Sequence, residues 1–319
     1  MAHVTQRLPA VFLFGPTAVG KTELLELLSP ELCEVVSADS LQVYRRLDIG
    51  TAKPSSAILQ RIPHHLIDIV DPVDQFDVGE FVRLADIAIR DIWHRGRIPL
   101  VSGGAGFYLK NLLYGLPRVP ASAPDIRARV QSELEELGLA RMYERLTEID
   151  PKTAERVGHT DGYRIARALE VYESSGRPLS DFPLPSAPQA HLAVKLIGLS
   201  RPRAELHRRI ESRVRAMFAD GLRDEVSGLI GDGYRPGDPG LRGIGYQEFF
   251  TSDGALRPNS EDEVICAQIQ RDSRRYAKRQ ITFFRGLPQV QWIPADAVRE
   301  VTHAIEHFAG MVHGGLLDS

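Results

Sequence analysis

The sequence predicts an α/β fold, a parallel sheet flanked by helices and interrupted by an all-helical insertion. Three observations carry this expectation. Short apolar runs alternate with helical patterns through the first third of the chain, a glycine-rich phosphate-binding signature stands between the first run and the first helix, and an apolar run at Ala193–Leu199 returns to the sheet after a long helical stretch.

In order, Ala10–Phe14 reads as a short buried strand, Lys21–Leu28 as a helix, Glu34–Ala38 as a second strand and His65–Val70 as a third. Gly79–His94 sets Phe81, Val82, Ala85, Ile89 and Trp93 on one helical stripe, with Gly96 as its stop. Ile98–Val101 is the next strand, and a glycine-rich turn leads into a helix at Phe107–Tyr114. Strands separated by helices imply right-handed crossovers and parallel pairing. From about Leu116 the pattern turns helical, with Asp125–Leu137 opening after Pro124 and Asp161–Ser175 following. Gly176–Leu192 holds four prolines and reads as a linker or surface loop. Gln289–Ile293 is a late strand. The expected division is a core of residues 1–117 and 193–319 around a helical insertion of residues 118–192.

Composition narrows the class. The chain has 319 residues, 39 Lys+Arg against 42 Asp+Glu and 43% hydrophobic residues, which excludes disorder as its main state. Cys33 and Cys266 are too few and too distant for a disulfide scaffold or a local ligand pair, so a reducing cytoplasm is expected. The apolar run after Arg7 is too short for a signal peptide or a membrane span, and a soluble, unprocessed protein is expected. A net charge of −3 conceals two basic stretches. Arg271–Arg285 carries six basic residues against Asp272 alone, and Arg201–Arg215 carries six arginines against two glutamates. Either could be a solvated helix face; together they point to a polyanion surface.

Gly15-Pro16-Thr17-Ala18-Val19-Gly20-Lys21-Thr22 fits G-x-x-x-x-G-K-[ST] between a strand and a helix, which makes the core P-loop NTPase-like. Its amides and Lys21 suit a pyrophosphate, and the Thr22 hydroxyl suits Mg²⁺. The loop does not fix the reaction. Asp39, in Asp39-Ser40-Leu41-Gln42 after the second strand, is placed as a Mg²⁺ ligand, a general base or a helix cap. Gln42 can pair with adenine or simply face solvent. Ser102-Gly103-Gly104-Ala105-Gly106 puts a second glycine-rich turn at the same edge, through close ligand approach or through turn geometry. His64 and His65 are adjacent and point opposite ways in a strand, a poor metal site, and are expected to be structural.

These residues resemble the tRNA dimethylallyltransferases, also called tRNA isopentenyltransferases. Gly15–Thr22 resembles the family's phosphate loop, and Ser37-Ala38-Asp39-Ser40-Leu41-Gln42-Val43-Tyr44 its substrate-recognition segment. Asp48-Ile49-Gly50-Thr51-Ala52-Lys53-Pro54 and His64-His65-Leu66-Ile67-Asp68 are similar to the next two blocks. Tyr163-Arg164-Ile165-Ala166-Arg167-Ala168-Leu169-Glu170-Val171 resembles the tRNA-contacting block of the inserted domain. Arg242-Gly243-Ile244-Gly245-Tyr246 and Tyr276-Ala277-Lys278-Arg279-Gln280 resemble the late blocks. The chain departs from the family in three places. Ala105 replaces a threonine, Gly158-His159-Thr160-Asp161 replaces a His-Pro-Asn-Asp pattern, and Thr282-Phe283-Phe284-Arg285 has phenylalanine where tryptophan is typical. The cysteines of the zinc finger that eukaryotic relatives append are missing.

The resemblance implies transfer of a dimethylallyl group from dimethylallyl diphosphate to N6 of the adenosine at position 37, next to the anticodon, releasing diphosphate. Asp39 is the expected base, with Lys21, Arg242 and Mg²⁺ on Thr22 countering the leaving charge. The expected tRNA contacts are Asp39, Ser40, Leu41, Gln42, Ala105, Arg127, Tyr163, Arg164, Ile165, Ala166, Arg167, Gly245, Tyr246, Lys278 and Arg279, on the anticodon stem-loop. A cytoplasmic monomer without membrane contact is expected. The other readings are a P-loop kinase of small metabolites, a prenyltransferase of free adenine nucleotides and an RNA-binding switch without chemistry.

Overall fold

A computed structural model describes residues 7–117, 119–120, 122–183, 185 and 187–314. The expected boundary at Arg118 and positions 184 and 186 of the expected linker lie outside these. The described chain divides into two compact units, one of residues up to Leu113 together with those from Pro188 onward, the other Tyr114–Ala187.

The first unit is built on six parallel strands in the order β3-β2-β4-β1-β5-β6. They are β1 (Leu8–Phe14), β2 (Cys33–Ala38), β3 (His64–His65), β4 (Ile98–Gly103), β5 (Leu192–Ser200) and β6 (Gln291–Pro294). β1, β2 and β4 are buried along their whole length, which is why they are mostly apolar and do not alternate, with Glu34 in β2 as a buried charged exception. β1 lies between β4 and β5, paired from Leu8↔Leu192 to Phe14↔Gly198. The Arg7 guanidinium ties the start of this pairing by donating to the Leu192 carbonyl at 2.8 Å, across 185 residues of sequence.

The helices in chain order are α1 (Lys21–Leu25), α2 (Ser56–Arg61), α3 (Val78–His94), α4 (Gly106–Tyr114), α5 (Pro124–Ile149), α6 (Pro151–Val157), α7 (Gly162–Ser175), α8 (Arg203–Ala219), α9 (Leu222–Gly231), α10 (Asp262–Arg285) and α11 (Val298–His313). α3 shows how sequence sets such an element. Asp77 caps it by accepting from the Glu80 amide at 2.9 Å, and Phe81, Ala85, Ala88, Ile89 and Ile92 form the buried face. One core cluster joins β1, β4 and β5 to α1, α8 and α11 through residues such as Leu13, Leu24, Leu100, Ile197, Ile210 and Phe308.

Two expected elements change. His65–Val70 is a strand only over His64–His65, because Leu66 and Asp68 take left-handed φ of 65° and 56° and break the ladder. α1 stops at Leu25 instead of Leu28. His64 and His65 are structural: His65 Nε2 meets Glu34 Oε2 at 2.7 Å, and His64 Nδ1 lies 2.7 Å from the Ile62 carbonyl. Arg95 and Arg97 also hold Glu34, and against the effect of burial Arg95 and His65 keep its carboxyl down at about 2.

The second unit is helical. Val130, Met142, Leu146, Ala154, Ile165, Ala168 and Leu169 close its core. The expected stop after Leu137 is real, since Gly138 sits at φ 79°, ψ 161°, but helical turns resume beyond it to Ile149.

Candidate active site at the carboxyl edge of the sheet

Register fixes where the site lies. Gly103 pairs with Phe14 on one side and Ala38 on the other, so the segments after β1, β2 and β4 leave the sheet side by side. A Cβ at Gly103 would sit 2.0 Å from the Ala38 carbonyl oxygen. At Gly104 and Gly106 it would meet Gln280 Nε2 at 2.4 Å and the Phe283 ring at 2.5 Å. All three have ordinary negative-side backbone angles, so close packing, and not turn geometry, explains this glycine-rich turn. Ala105 between them is buried, its amide donating to the Ala38 carbonyl at 3.1 Å.

The phosphate loop is braced by side chains from α8, from Arg201 just before it, and from α10. Thr17 N donates to Gln280 Oε1 at 2.8 Å, and Gln280 Nε2 donates to the Gly104 carbonyl at 2.8 Å, so one amide stitches both glycine-rich turns together. Arg213 Nη2 donates to Thr17 Oγ1 at 2.7 Å, Arg209 Nε to the Ala18 carbonyl at 2.8 Å and Arg201 Nε to the Val19 carbonyl at 2.9 Å. The amides of Thr17 and Val19 are therefore already engaged, the latter by the Pro16 carbonyl. Those at the start of α1 are the ones no helix carbonyl can reach. With α1 only five residues long, its dipole is small and the positive field comes mainly from side chains.

Three charges govern that field. Lys21 Nζ donates to the Gly15 and Pro16 carbonyls at 3.0 and 3.2 Å. Burial lowers its pKa to about 8, with Asp39 opposing the shift and Arg213 adding to it. Arg213 is also lowered by burial against the pull of Asp39, and its Nε is buried without a partner. Two cations thus lie in the field of one carboxylate, a net positive balance that suits an anion such as diphosphate. Asp39 Oδ1 accepts from Leu41 N at 2.9 Å and Gln42 N at 3.3 Å, so Asp39 does cap its own turn. Burial first, then its charge, push the Tyr276 hydroxyl up to about 12.

Several of the expected residues are held by the protein's own packing and hydrogen bonds. Gln42 does not face solvent: its Nε2 donates to the Thr51 and Ala52 carbonyls, each at 3.2 Å. Ser40 is exposed, while Leu41 is pressed against Gly243, where a Cβ would meet it at 2.4 Å. Tyr246 is 0% exposed, its hydroxyl donating to Glu225 Oε1 at 2.6 Å, and Gly245, at φ 104°, packs on the Gly50 carbonyl. Packing thus occupies the Tyr246 side chain and the face of Gly245 that meets Gly50. Arg242 is exposed, with its Nε donating to the Gly237 carbonyl at 2.7 Å.

Within the helical unit Tyr163 is 79% exposed, and Arg127 and Arg164 are exposed. Arg167 is held by Ser122 and by Glu170 at 3.1 Å. Ile165 and Ala166 are buried in the core of this unit. On α10, Lys278 and Arg279 are exposed, the latter 5.6 Å from the Tyr276 ring centre. Arg271 and Arg275 pair with Asp272, and Arg274 with Glu211.

Sequence reasoning saw the Arg201–Arg215 cluster but read it as an outward polyanion surface. Three of its arginines turn onto the phosphate loop instead. The i, i+4 spacing of Arg209 and Arg213 was the available signal for one inward face. Among the described residues no group of three or more His, Cys, Asp or Glu could cage a metal. The oxygens at hand, the Thr22 hydroxyl and Asp39, suit a hard ion such as Mg²⁺ that takes few protein ligands and completes its shell with phosphate and water.

The family model described as IPP transferase matches residues 42–287. A tRNA dimethylallyltransferase of Roseiflexus is 46% identical over 298 residues, covering 91% of this chain and 94% of the relative. One from Citrifermentans bemidjiense is 42% identical over 316 residues, covering 97% and 100%. Among solved structures, the tRNA isopentenylpyrophosphate transferase of Bacillus halodurans superposes with a TM-score of 0.68 at 33% identity, covering 97% of this chain and 99% of that one. A eukaryotic dimethylallyltransferase acting on tRNA gives a TM-score of 0.78 at 25% identity, covering 97% and 79%.

Proposed function

The chain belongs to the IPP transferase family of tRNA dimethylallyltransferases, and from that premise we propose that its phosphate-loop edge joins dimethylallyl diphosphate to N6 of adenosine 37 of tRNA. The protein is a tRNA-modifying prenyltransferase, and membership sets the kinase reading aside. The observation that carries the site assignment is the pair of cations set on the phosphate loop, Lys21 on the Gly15 and Pro16 carbonyls and Arg213 on the Thr17 hydroxyl with its Nε buried and unpartnered.

The chemistry asks for that arrangement. An exocyclic adenine amine is a weak nucleophile, so its nitrogen forms the new bond to the allylic carbon while a base accepts the proton. Asp39 Oδ1 is engaged by its turn, and the other oxygen is the one to accept it. As the C–O bond breaks, the electron pair goes to the diphosphate oxygen. Lys21, Arg213 and the amides opening α1 neutralise that charge from fixed positions. Thr22 would hold Mg²⁺, which would supply further charge neutralisation to the diphosphate.

An adenosine in an anticodon loop is unpaired and can be swung into a pocket at modest cost. The exposed Lys278 and Arg279 of α10, and Arg127, Tyr163, Arg164 and Arg167 of the helical unit, are assigned to the anticodon stem-loop as phosphate contacts and a stacking face. Among the described residues no helix is long and apolar enough to cross a membrane. A cytoplasmic monomer is part of the same proposal.

The deciding experiment follows radiolabel from dimethylallyl diphosphate into tRNA and maps the modified base. Label in adenosine 37 is expected; label elsewhere or none refutes the reading. A second expectation concerns salt. The logarithm of tRNA affinity should fall steeply with the logarithm of salt concentration, and replacing Lys278 and Arg279 together should reduce that slope by about 1–2. An unchanged slope would move the RNA off α10.

A further inference from the structure

In the block Asp48-Ile49-Gly50-Thr51-Ala52-Lys53-Pro54, three backbone amides converge on one carboxylate. Glu225, in the first turn of α9, accepts on Oε2 from Asp48 N at 2.9 Å and Ile49 N at 2.7 Å. Its Oε1 accepts from Gly50 N at 3.1 Å and from the Tyr246 hydroxyl at 2.6 Å. Four hydrogen bonds to one ionised group make a strong, directional clamp. Glycines let the clamp close: a Cβ at Gly50 would lie 2.5 Å from the Tyr246 ring.

Beyond the clamp the same loop returns to the proton-accepting turn. The Gln42 side-chain amide nitrogen donates to both the Thr51 and Ala52 carbonyls, the Ser37 hydroxyl donates to Gln42 Oε1 at 3.4 Å, and Gln42 N donates to Asp39 Oδ1. Lys53, its side chain 4% exposed, fixes the loop's other end by donating to the Tyr44 carbonyl at 3.0 Å and Asp48 Oδ1 at 2.6 Å.

We infer that Glu225 is a positioning residue for the transfer step, setting the Asp39 carboxylate through the 48–52 loop and Gln42. The inference rests on Asp39 as proton acceptor. Among the described residues Glu225 makes no hydrogen bond to the phosphate loop, so it acts on the amine side of the reaction and leaves diphosphate binding alone. A purely structural residue would lower both together.

Glu225→Gln keeps the shape and turns one acceptor into a donor facing an amide. Its kcat with tRNA is expected to fall about 10–100-fold, the scale of a misplaced reacting group. Its Kd for dimethylallyl diphosphate should stay within about twofold. Tyr246→Phe removes one of the four bonds while keeping the ring over Gly50, and should show the same split at about a few-fold. In the double variant with Asp39→Asn, Glu225→Gln should add almost nothing, because the group it positions no longer works as a base. Multiplicative effects, or diphosphate affinity falling with kcat, overturn the inference. If Asp39→Asn keeps full activity, the Asp39 reading fails and this one with it. If Asp39→Asn is slow while Glu225→Gln matches the parent, only the role of Glu225 fails. Should Glu225→Gln not fold, Tyr246→Phe and its double with Asp39→Asn decide on the same terms.

Discussion

Lys21→Ala should lower turnover by about 10³-fold, near 4 kcal/mol of transition-state stabilisation, while tRNA affinity stays close to the parent's. Lys21 sits on the Gly15 and Pro16 carbonyls within the loop that cradles diphosphate, so its loss falls on the leaving group and not on RNA. Filter binding and turnover on one preparation separate the two; equal losses would sink the assignment. Its ionisation adds a second signature. Burial brings its pKa from the ordinary 10.5 to about 8 in the folded protein. Between those values the unfolded chain holds a proton the folded one has lost, so this group makes stability rise with pH across that window. Diphosphate prefers the charged lysine, so affinity for it should decline as pH rises through about 8. Lys21→Arg should remove the decline, because guanidinium stays charged.

Asp39→Asn should slow turnover by about 10²-fold or more, the usual scale of a lost general base. Asparagine keeps an oxygen to accept from the Leu41 and Gln42 amides, so the turn survives and only basicity is removed. The substitution also withdraws the one negative charge that Lys21 and Arg213 share. Diphosphate binding should therefore tighten or hold steady as catalysis fails. Activity within a few-fold of the parent would make Asp39 a cap alone.

Much of this architecture was legible because the signals were local. The buried strands of the central sheet announce themselves as apolar runs, and the phosphate loop as a glycine-rich turn between strand and helix. Gly138 marked the break in α5 within one residue. What was hidden depends on distant partners. Leu66 and Asp68 adopt left-handed backbone with Asp68 anchored by Lys53 and its carbonyl by Arg45, so no property of the apolar run itself could shorten the third strand. Arg201, Arg209 and Arg213 were visible as charge, but whether a helical arginine faces RNA or a loop is decided by what packs on that face. Glu225 gave no signal at all, being one acid among 42. Tyr246 drew attention through its motif and turned out to be core.

The pairing of β1 with β5 has a consequence for how the protein comes into being. β1 meets β4 after about ninety residues have followed it, but its other neighbour, which Arg7 reaches across 185 positions, emerges much later from the ribosome. Until then the strand that ends in the phosphate loop presents an open edge, the kind of surface that recruits unwanted strands. The helical unit emerges in that interval, and its contacts are local, so it can close quickly while the sheet waits. Arg201, Arg209 and Arg213 follow β5, and Gln280 comes near the end of the chain. A ribosome-bound product halted before Leu192 would carry the whole phosphate-loop sequence without the side chains that brace it, and competence to bind diphosphate would come only as synthesis finishes.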